Sequence, residues 1–474
     1  MDSDATRVNQ LEENIPAKMK FAYGSTNMSH FALSNIAFTA ITFYYNVILG
    51  LNAVLIGIGW LIFAIWNALN DPLFGFLEDR TKTKKYGRRI PYIRFLAPFH
   101  GILFLLVWFP LADINDEFAL FLNFLMILLL YDTVVTLTSI ALYALPAEMT
   151  LSPKERSSIM VYDTIIGAVG SGIAFIIPVF LLTGIEDSLI DFNFYIIMIF
   201  LAIIFSLIMY VGSFFLKENK YTMLDDTLGF KMSIQETLKN KPFLIFIVSS
   251  FAFAIAMTTL TTAVFYYVDF VLRLNGIETI FPIIAVYLSA MVFAAIVVPL
   301  VEKFGLKKTY MLGLTWAGLN FLLLLIMGWN FILALLLLIS LGFGISIIFV
   351  TTPTILADII DFDETLTSKR RETTYSGISA LITKPAVSLA NFLFLLIITF
   401  YGFNPAIQNQ SESARLGIMI AITMIPAIFL LFGAFIMKFY PLEGSDWEKT
   451  KREIAKVHTE KEKAFQNYLK EQTT

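Results

Sequence analysis

Long apolar runs recur along the whole chain, and they constrain its fold more than any other feature. A run of about 20 apolar residues can cross a hydrocarbon core of roughly 30 Å, and a helix satisfies its own backbone hydrogen bonds there. Only 15% of the residues are charged, against about 25% in soluble domains. The sequence therefore predicts an all-α integral membrane protein in a lipid bilayer. We count twelve segments, at approximately residues 27–49, 54–78, 93–112, 118–144, 161–183, 193–216, 243–272, 280–300, 309–327, 330–354, 376–401 and 414–438.

The basic residues of the loops predict the orientation. Lys and Arg cluster in the loops that follow segments 2, 4, 6, 8 and 10, whereas the loops after segments 1, 3, 5 and 9 contain none. Basic loops stay in the cytoplasm, so we expect both termini to be cytoplasmic. The polar start of the chain lacks the pattern of a signal peptide. We therefore expect a multi-pass protein of the cell membrane without a cleaved signal peptide.

The two halves of the chain repeat each other. The segment FYYNVILGLN at Phe43–Asn52 recurs as FYYVDFVLRLN at Phe265–Asn275, and YGRR recurs as FGLKK, each about 210 to 222 residues later. Two six-helix halves repeated in parallel are the plan of the major facilitator transporters, whose solute site lies between the halves. The predicted parts are two six-helix bundles at 1–216 and 243–438, a cytoplasmic loop at 217–242 and a polar tail helix at 439–474.

Four ionisable residues lie well inside the apolar segments: Asp71, Asp132, Asp163 and Lys384. Such groups are costly in a membrane and usually face a partner or a wet cavity. We expect Lys384 of the second half to face carboxylates of the first half, so that a bound cation could make or break the pair. Structural roles stay open as alternatives, including a bend at Pro72 for Asp71 and packing for Asp132. A carboxylate near a helix N-terminus is also favoured by the helix dipole, which is the alternative for Asp163.

Four stretches carry a resemblance to a known family. They are WNALNDPLFGFLEDRTKTKKYGRRIPY in segment 2, PAEMTLSPKER after segment 4, Tyr266–Leu272, and Ala357–Lys384. The chain resembles the glycoside–pentoside–hexuronide:cation symporters, the melibiose-carrier group of the major facilitator superfamily. The resemblance implies symport of a small solute, such as a sugar or glycoside, with Na⁺ or H⁺ by alternating access.

The resemblance also implies roles for particular residues. Asp71 stands at the family's second cation-site carboxylate of helix 2, and Lys384 stands at its helix 11 lysine near both sites. A set of charged residues corresponds to the cytoplasmic gate and loops: Arg88, Glu148, Arg156, Asp358, Asp361, Glu364 and Arg371.

The sugar-binding positions of that family are altered here. The helix 5 arginine stands as Asp163, and the helix 1 aspartate is replaced by Asn27 or His30. The helix 4 polar residue and its aromatic neighbour correspond to Ser139 and Tyr143. A sugar is therefore less secure as the solute than the family alone implies. The candidate solute-binding residues are Asn27, His30, Ser139, Tyr143, Asp163 and Lys384.

A cation site can be argued from helix spacing. Asp132 lies seven residues before Ser139, on the same helix face. The family's first helix 2 carboxylate is Asn67 here, so the hypothesis uses Asp71 with Asp132 and the oxygens of Asn67 and Thr136. Sodium requires several oxygens, whereas a proton requires one carboxylate of raised pKa. The sequence leaves Na⁺, H⁺ and uncoupled transport open.

The main alternative within transport is an amphipathic or anionic solute, such as a lysolipid or an organic anion. A cavity lined by Phe and Met, instead of Trp, Arg and Asp, favours that alternative. An enzyme is not expected, because the chain lacks H-E-x-x-H, G-x-S-x-G and Walker A patterns. We expect no cofactor besides the coupling ion, no nucleic-acid partner, and a monomer. From Pro441 the tail reads as a solvated cytoplasmic helix that begins with a capping box at Ser445–Glu448 and runs to about Leu469, and the alternative is a partner or regulatory surface.

Overall fold

The computed structural model describes residues 15–81, 83, 87–150, 152–184, 192–218, 237–367, 371–444, 447, 449–451 and 453–454. Most of the predicted 217–242 loop, the capping box at Ser445–Glu448 and the tail beyond residue 454 lie outside the described residues.

Twelve helices in the described part of the chain are long and apolar enough to cross a membrane. This confirms the predicted all-α fold. Two helices extend well beyond the predicted segments, since α1 begins at Ala17 and α10 ends at Thr367. Their ends carry polar residues that a search for apolar runs does not count. The helices are α1 (Ala17–Phe43), α2 (Ala53–Arg80), α3 (Ile90–Trp108), α4 (Glu117–Met149), α5 (Pro153–Leu182), α6 (Phe192–Gly212), α7 (Lys241–Tyr266), α8 (Phe281–Phe304), α9 (Leu306–Met327), α10 (Phe331–Thr367), α11 in two parts (Glu372–Thr383 and Pro385–Phe400) and α12 (Glu412–Met437).

Several helix starts are fixed by the residue that precedes them. A side-chain oxygen accepts a hydrogen bond from a backbone N–H of the first turn at Asn52, Asp116, Ser152, Asn240 and Ser411. These N–H groups have no partner inside the helix, so such a cap stabilises the helix by about 1 kcal/mol. The short polar loops therefore set where α2, α4, α5, α7 and α12 begin.

Packing within the first half recurs in the second half. In the first half, α1 packs on α5 and α6, α2 on α4, and α3 on α4 and α6. Six helices later, α7 packs on α11 and α12, α8 on α10, and α9 on α10 and α12. The sequence repeat therefore corresponds to a repeat of helix packing.

The FYY repeat corresponds to a shared backbone irregularity. Helix α1 continues as a π-helical turn at Tyr44–Ile48, and α7 continues as one at Tyr267–Leu272. Each turn is followed by a residue of positive φ, Gly50 at 75° and Arg273 at 55°. Glycine adopts this conformation freely, whereas it is uncommon for a residue with a Cβ. The two halves therefore share the positive φ at this position, although one half has glycine there and the other has arginine.

The two halves contact each other at one end of the bundle. We call the end with Arg88, Arg89 and Arg371 the basic end, and the opposite end the far end. At the far end, Tyr266 Oη donates to Asn46 Oδ1 at 3.0 Å, and Gly184 N donates to Asp269 Oδ1 at 2.9 Å. Both hydrogen bonds join the first half to the second. Rings also pack there, including Phe43 on Tyr266 with centroids 5.0 Å apart.

A buried amide joins both halves deeper in the bundle. Asn391 of α11 accepts hydrogen bonds at Oδ1 from Thr42 of α1 at 3.0 Å and from Thr262 of α7 at 3.1 Å. Trp60 Nε1 of α2 donates to the same Thr42 hydroxyl at 2.9 Å. All four residues are buried, and hydrogen bonds are strong at low dielectric. This network ties α1 and α2 to α7 and α11.

Candidate solute and cation sites

A cavity of roughly 970 Å³ lies between the two halves. It is bordered by α1 and α5 of the first half and by α7, α8 and α10 of the second. Its volume suits a ligand of ordinary small-molecule size. We call it the central cavity. Its largest apolar lining residues are Met and Phe, and they include Met28, Phe31, Phe175, Met257, Met291 and Phe349.

The lining also contains several hydroxyl and amide side chains, and one hydrogen-bonded polar pair includes its charged residue. Asn27 Nδ2 of α1 donates to Asp163 Oδ1 of α5 at 2.8 Å, and both residues line the central cavity. The two helices approach closely because of Gly24, where an added Cβ would lie 3.2 Å from Tyr162 O. Asp163 is the only Asp, Glu, Lys, Arg or His among the described residues that line the cavity. Two predicted solute-binding residues therefore meet there.

Asp71 and Lys384 form an ion pair between α2 and α11. The distance from Lys384 Nζ to Asp71 Oδ1 is 2.5 Å, so the two side chains face each other as expected. Their side chains are 21% and 33% exposed. The exposed Leu69 and Leu73 lie about 200° around α2 from Asp71. The pair therefore points away from the lipid-facing side of α2, toward the other half.

Lys384 occupies a break in its helix. It joins the two parts of α11, and the next residue is Pro385. Proline has no N–H, so the helix loses one backbone hydrogen bond here. Lys384 therefore lies where the backbone hydrogen bonding of α11 is interrupted.

Asp132 lies in a buried polar cluster beside this pair. Asn70, the neighbour of Asp71 in the chain, donates from Nδ2 to Asp132 Oδ2, and the same nitrogen is 3.4 Å from Thr136 Oγ1. The hypothesis from helix spacing names Asn67 for this site, and the structure adds Asn70, which contacts Asp132 directly. The residues lie three positions apart on one helix face, so spacing alone did not separate them.

The cluster has unused oxygens that fit a cation. Within the described residues, Asn67 Oδ1 and Asn70 Oδ1 are buried without a hydrogen-bond partner. Buried polar atoms are almost always satisfied, so such atoms call for an explanation such as an ion. Together with the carboxylates of Asp71 and Asp132 and the hydroxyl of Thr136, they supply the oxygen ligands that a hard cation prefers.

The structure places His30, a predicted solute-binding residue, outside the lining of the central cavity. It is buried in the first half, with its ring 5.2 Å from the ring of His100 in an edge-to-face contact. His100 Nε2 in turn lies 3.1 Å from Tyr131 Oη. His30 does not line the central cavity, because its ring packs against His100 of α3 inside the first half.

Ser139 and Tyr143 are exposed and do not line the central cavity. Tyr143 is 70% exposed. Both lie on the face of α4 that carries Asp132, and about 180° from the exposed Leu130. Both side chains therefore face away from the lipid side of α4, in the part of this helix that is nearer to the basic end. We infer that the halves are separated at the basic end, which leaves these residues open to solvent.

The charged residues of the basic end pair within each half. Glu148 accepts from Arg88 Nη2 at 2.5 Å and from Arg89 Nε at 3.0 Å, and Arg89 Nη1 is 2.9 Å from Glu78. All of these side chains are largely buried. The resemblance implies gate residues that join the halves, but these ion pairs join helices of the first half. The family motif indicated Arg88 and Glu148, whereas Glu78 and Arg89 were missed.

The second half shows the same behaviour. Arg371 pairs with Asp363 at 2.5 Å, and Asp363 was not among the predicted gate residues. Asp361 and Glu364 lie nearby on α10. In the first half, the predicted gate residue Arg156 donates to Thr150 O at 3.3 Å. These contacts of Arg371, Asp363 and Arg156 therefore each lie within one half.

The start of the tail docks on α10. Trp447 Nε1 donates to Asp358 Oδ2 at 3.1 Å, and Lys451 Nζ lies 2.7 Å from the same oxygen. Trp447 is buried. Burial also raises the pKa of Tyr440 above its ordinary value, with the nearby Asp358 charge as a further cause. The prediction of a solvated tail is therefore wrong for these residues, because Trp447 supplies an apolar face that the polar composition concealed.

Comparison with known proteins identifies the family. The sequence model described as MFS/sugar transport protein matches residues 22–444. The chain belongs to this family. Membership confirms the resemblance drawn from the sequence motifs, and it makes the protein a transporter and not an enzyme.

Individual relatives of this transporter differ in solute. It is 22% identical to a glucuronide carrier protein homolog of Escherichia coli, over 87% of this chain and 89% of that protein. It is also 22% identical to sodium-dependent lysophosphatidylcholine symporter 1 of Gallus gallus, over 83% of this chain and 81% of that protein. The solved structure of a nucleoside transporter matches with a TM-score of 0.63 at 13% identity, covering 88% of this chain and 99% of that one. This last likeness shows the fold alone.

Proposed function

We propose that this transporter couples the uptake of an amphipathic solute to a cation, by alternating access across the cell membrane. The observation that carries the coupling is the Asp71–Lys384 ion pair, which joins the two halves at 2.5 Å. A charge pair inside a membrane protein is costly unless it has a function or a compensating partner. Here it adjoins Asp132 and two buried amide oxygens without partners.

In the proposed mechanism the cation competes with Lys384 for Asp71. Binding of Na⁺ or H⁺ at the Asp71–Asp132 cluster neutralises Asp71 and releases the Lys384 amine. The attraction between α2 and α11 then weakens, and the halves can change their relative orientation. A ligand shifts such an equilibrium only by its differential affinity for the two states. Competition for one carboxylate supplies that difference.

The lining of the central cavity supports an amphipathic solute. Its large side chains are Met, Phe and Tyr287, and the described lining contains no Trp, Arg, Lys or His. Among the described lining residues Asp163 alone is charged, so most of the carboxylates and the arginine that the resembling family uses for sugar hydroxyls have no counterpart there. A lysophosphatidylcholine symporter among the relatives favours the same solute class. The glucuronide carrier homolog favours a sugar, which remains the second candidate.

Transport assays distinguish these candidates. Purified protein in proteoliposomes is expected to accumulate a lysolipid or another single-chain amphiphile against its gradient when an inward Na⁺ or H⁺ gradient is imposed. Glucuronides and other glycosides should not compete for this uptake. Accumulation of a glycoside, with no effect of amphiphiles, would instead establish the sugar. Equal uptake with and without both ion gradients would contradict the coupling.

The Asn391 network predicts how alternating access can be biased. Asn391→Val removes the acceptor that joins Thr42 and Thr262, so the far end should open more often. The chain has no cysteine, so Ser171→Cys places a single thiol at a partly exposed position in the central cavity. We expect labelling by a membrane-impermeant maleimide from the basic side in the parent, and several-fold faster labelling from the far side with Asn391→Val. Asn404→Val, in the polar turn after α11, is the matched control and should change neither rate.

A further inference from the structure

We propose that Asp163 and Asn27 select a solute whose polar head is a single ammonium group, carried on an apolar body. This proposal rests on the proposed transport of an amphiphile and adds the charge of its head. The class includes alkylammonium and alkyl-trimethylammonium compounds. Among amphiphiles, a cationic head is preferred to a zwitterionic head such as that of a lysophosphatidylcholine, and an anionic head is disfavoured.

The charge of the cavity is the first argument. Among the described residues, Asp163 has no ion-pair partner, and no other charged side chain lines the cavity. An isolated carboxylate in a largely apolar cavity is costly unless an opposite charge approaches it. A cationic ligand head provides that charge, whereas an anionic head would be repelled.

The orientation of the carboxylate is the second argument. Asn27 Nδ2 holds one oxygen, Oδ1, at 2.8 Å. Within the described residues, the other oxygen has no hydrogen-bond partner, and Asp163 is only partly buried. An ammonium group can therefore approach this second oxygen from the cavity without displacing Asn27.

The surroundings of the pair are the third argument. Phe31 lies one helical turn beyond Asn27 on α1, lines the same cavity and is 37% exposed. Aromatic faces attract quaternary ammonium groups. Beyond it, Met28, Met257 and Phe349 provide apolar contacts for a chain. A phosphate next to the ammonium would find no Lys, Arg or His among the described lining residues, so a zwitterion should bind less tightly.

Protection of a thiol in the central cavity from maleimide tests whether amphiphilic probes bind at this site. Ser171→Cys introduces the single thiol of the chain on the cavity wall. Three dodecyl probes with matched chains are compared in lipid nanodiscs: trimethylammonium, phosphocholine and sulfonate. The trimethylammonium probe should half-protect the thiol from maleimide at a concentration about tenfold lower than phosphocholine, and the sulfonate should protect least. Asp163→Asn should reduce the differences to within about twofold, and Asp163→Glu should retain them.

The outcomes separate the two proposals. Equal protection by all three probes overturns ammonium selection and leaves the amphipathic solute standing. Protection by none of them overturns both. An undiminished preference in Asp163→Asn removes Asp163 from the selection. Thr164→Val, a neighbouring uncharged substitution at the cavity wall, is the control for general disturbance of α5 and should preserve the order of the probes.

Discussion

Asp71→Asn is expected to abolish uphill uptake while solute exchange across the membrane continues. The substitution removes the carboxylate that Lys384 and the cation share, so cation binding no longer changes the interaction between the halves. Coupling free energies of about 1 to 3 kcal/mol correspond to about 5- to 150-fold in affinity, and we expect the accumulation ratio to fall to unity. The measurement is solute accumulation in proteoliposomes under an ion gradient, compared with counterflow at zero gradient.

A double substitution separates coupling from stability. Asp71→Asn alone leaves the Lys384 amine without its partner, which lowers the stability of the protein. Asp71→Asn with Lys384→Gln removes both charges and should recover the melting temperature in detergent without restoring uphill uptake. Asp113→Asn, in an exposed loop at the far end, is the control and should transport normally. Uphill uptake by either Asp71 variant at the rate of the parent would refute the coupling mechanism.

The sequence predicted an ion pair between the halves because each charge is costly within its own apolar helix. A charge in an apolar helix is so costly that it must face a partner, and the chain offers few partners inside the membrane. Lys384 could therefore be assigned to the carboxylates of the first half without coordinates, and the structure shows that Asp71 is its partner. Membership of the family and the twelve helices followed from equally strong signals, namely apolar length and motif spacing.

Positions within one helix face were harder to predict. Asn67 and Asn70 lie on the same face of α2, and only packing against α4 decided that Asn70 contacts Asp132. His30 lies three residues from Asn27, yet it packs against His100 inside the first half. Such choices depend on helix rotation and neighbouring helices, which spacing does not specify. The Met- and Phe-lined cavity could likewise be recognised only after the halves were assembled.

The buried charge network of the basic end could not be predicted from the sequence. In the sequence, Glu78 and Arg89 have the pattern of ordinary residues at the end of a helix and in a basic loop. In the structure the Glu78 side chain has no exposure and Arg89 links it to Glu148. The loop Gly87–Arg89 turns back over the end of α2 and brings the guanidinium inside, an arrangement that a loop sequence does not reveal.

Arg89→Met is expected to cause the largest loss of stability in this protein. It removes the guanidinium that pairs with the buried carboxylates of both Glu78 and Glu148. Breaking a buried ion pair by removing one partner costs about 3 to 5 kcal/mol. For a bundle of this size that corresponds to a fall in melting temperature on the order of 10 °C. Thermal unfolding in detergent measures it, and Lys154→Met, an exposed basic residue at the same end, should change the melting temperature little.

Neutral carboxyl partners test whether the loss comes from uncompensated charge. Glu78→Gln added to Arg89→Met removes one buried negative charge and leaves the Arg88–Glu148 pair in place, so much of the lost stability should return. If this double variant were as unstable as Arg89→Met, the shape of the arginine side chain would matter and not its charge. If Arg89→Met itself melted with the parent protein, the network would contribute nothing to holding α2, α4 and the loop before α3 together, and the first half would depend on apolar packing alone.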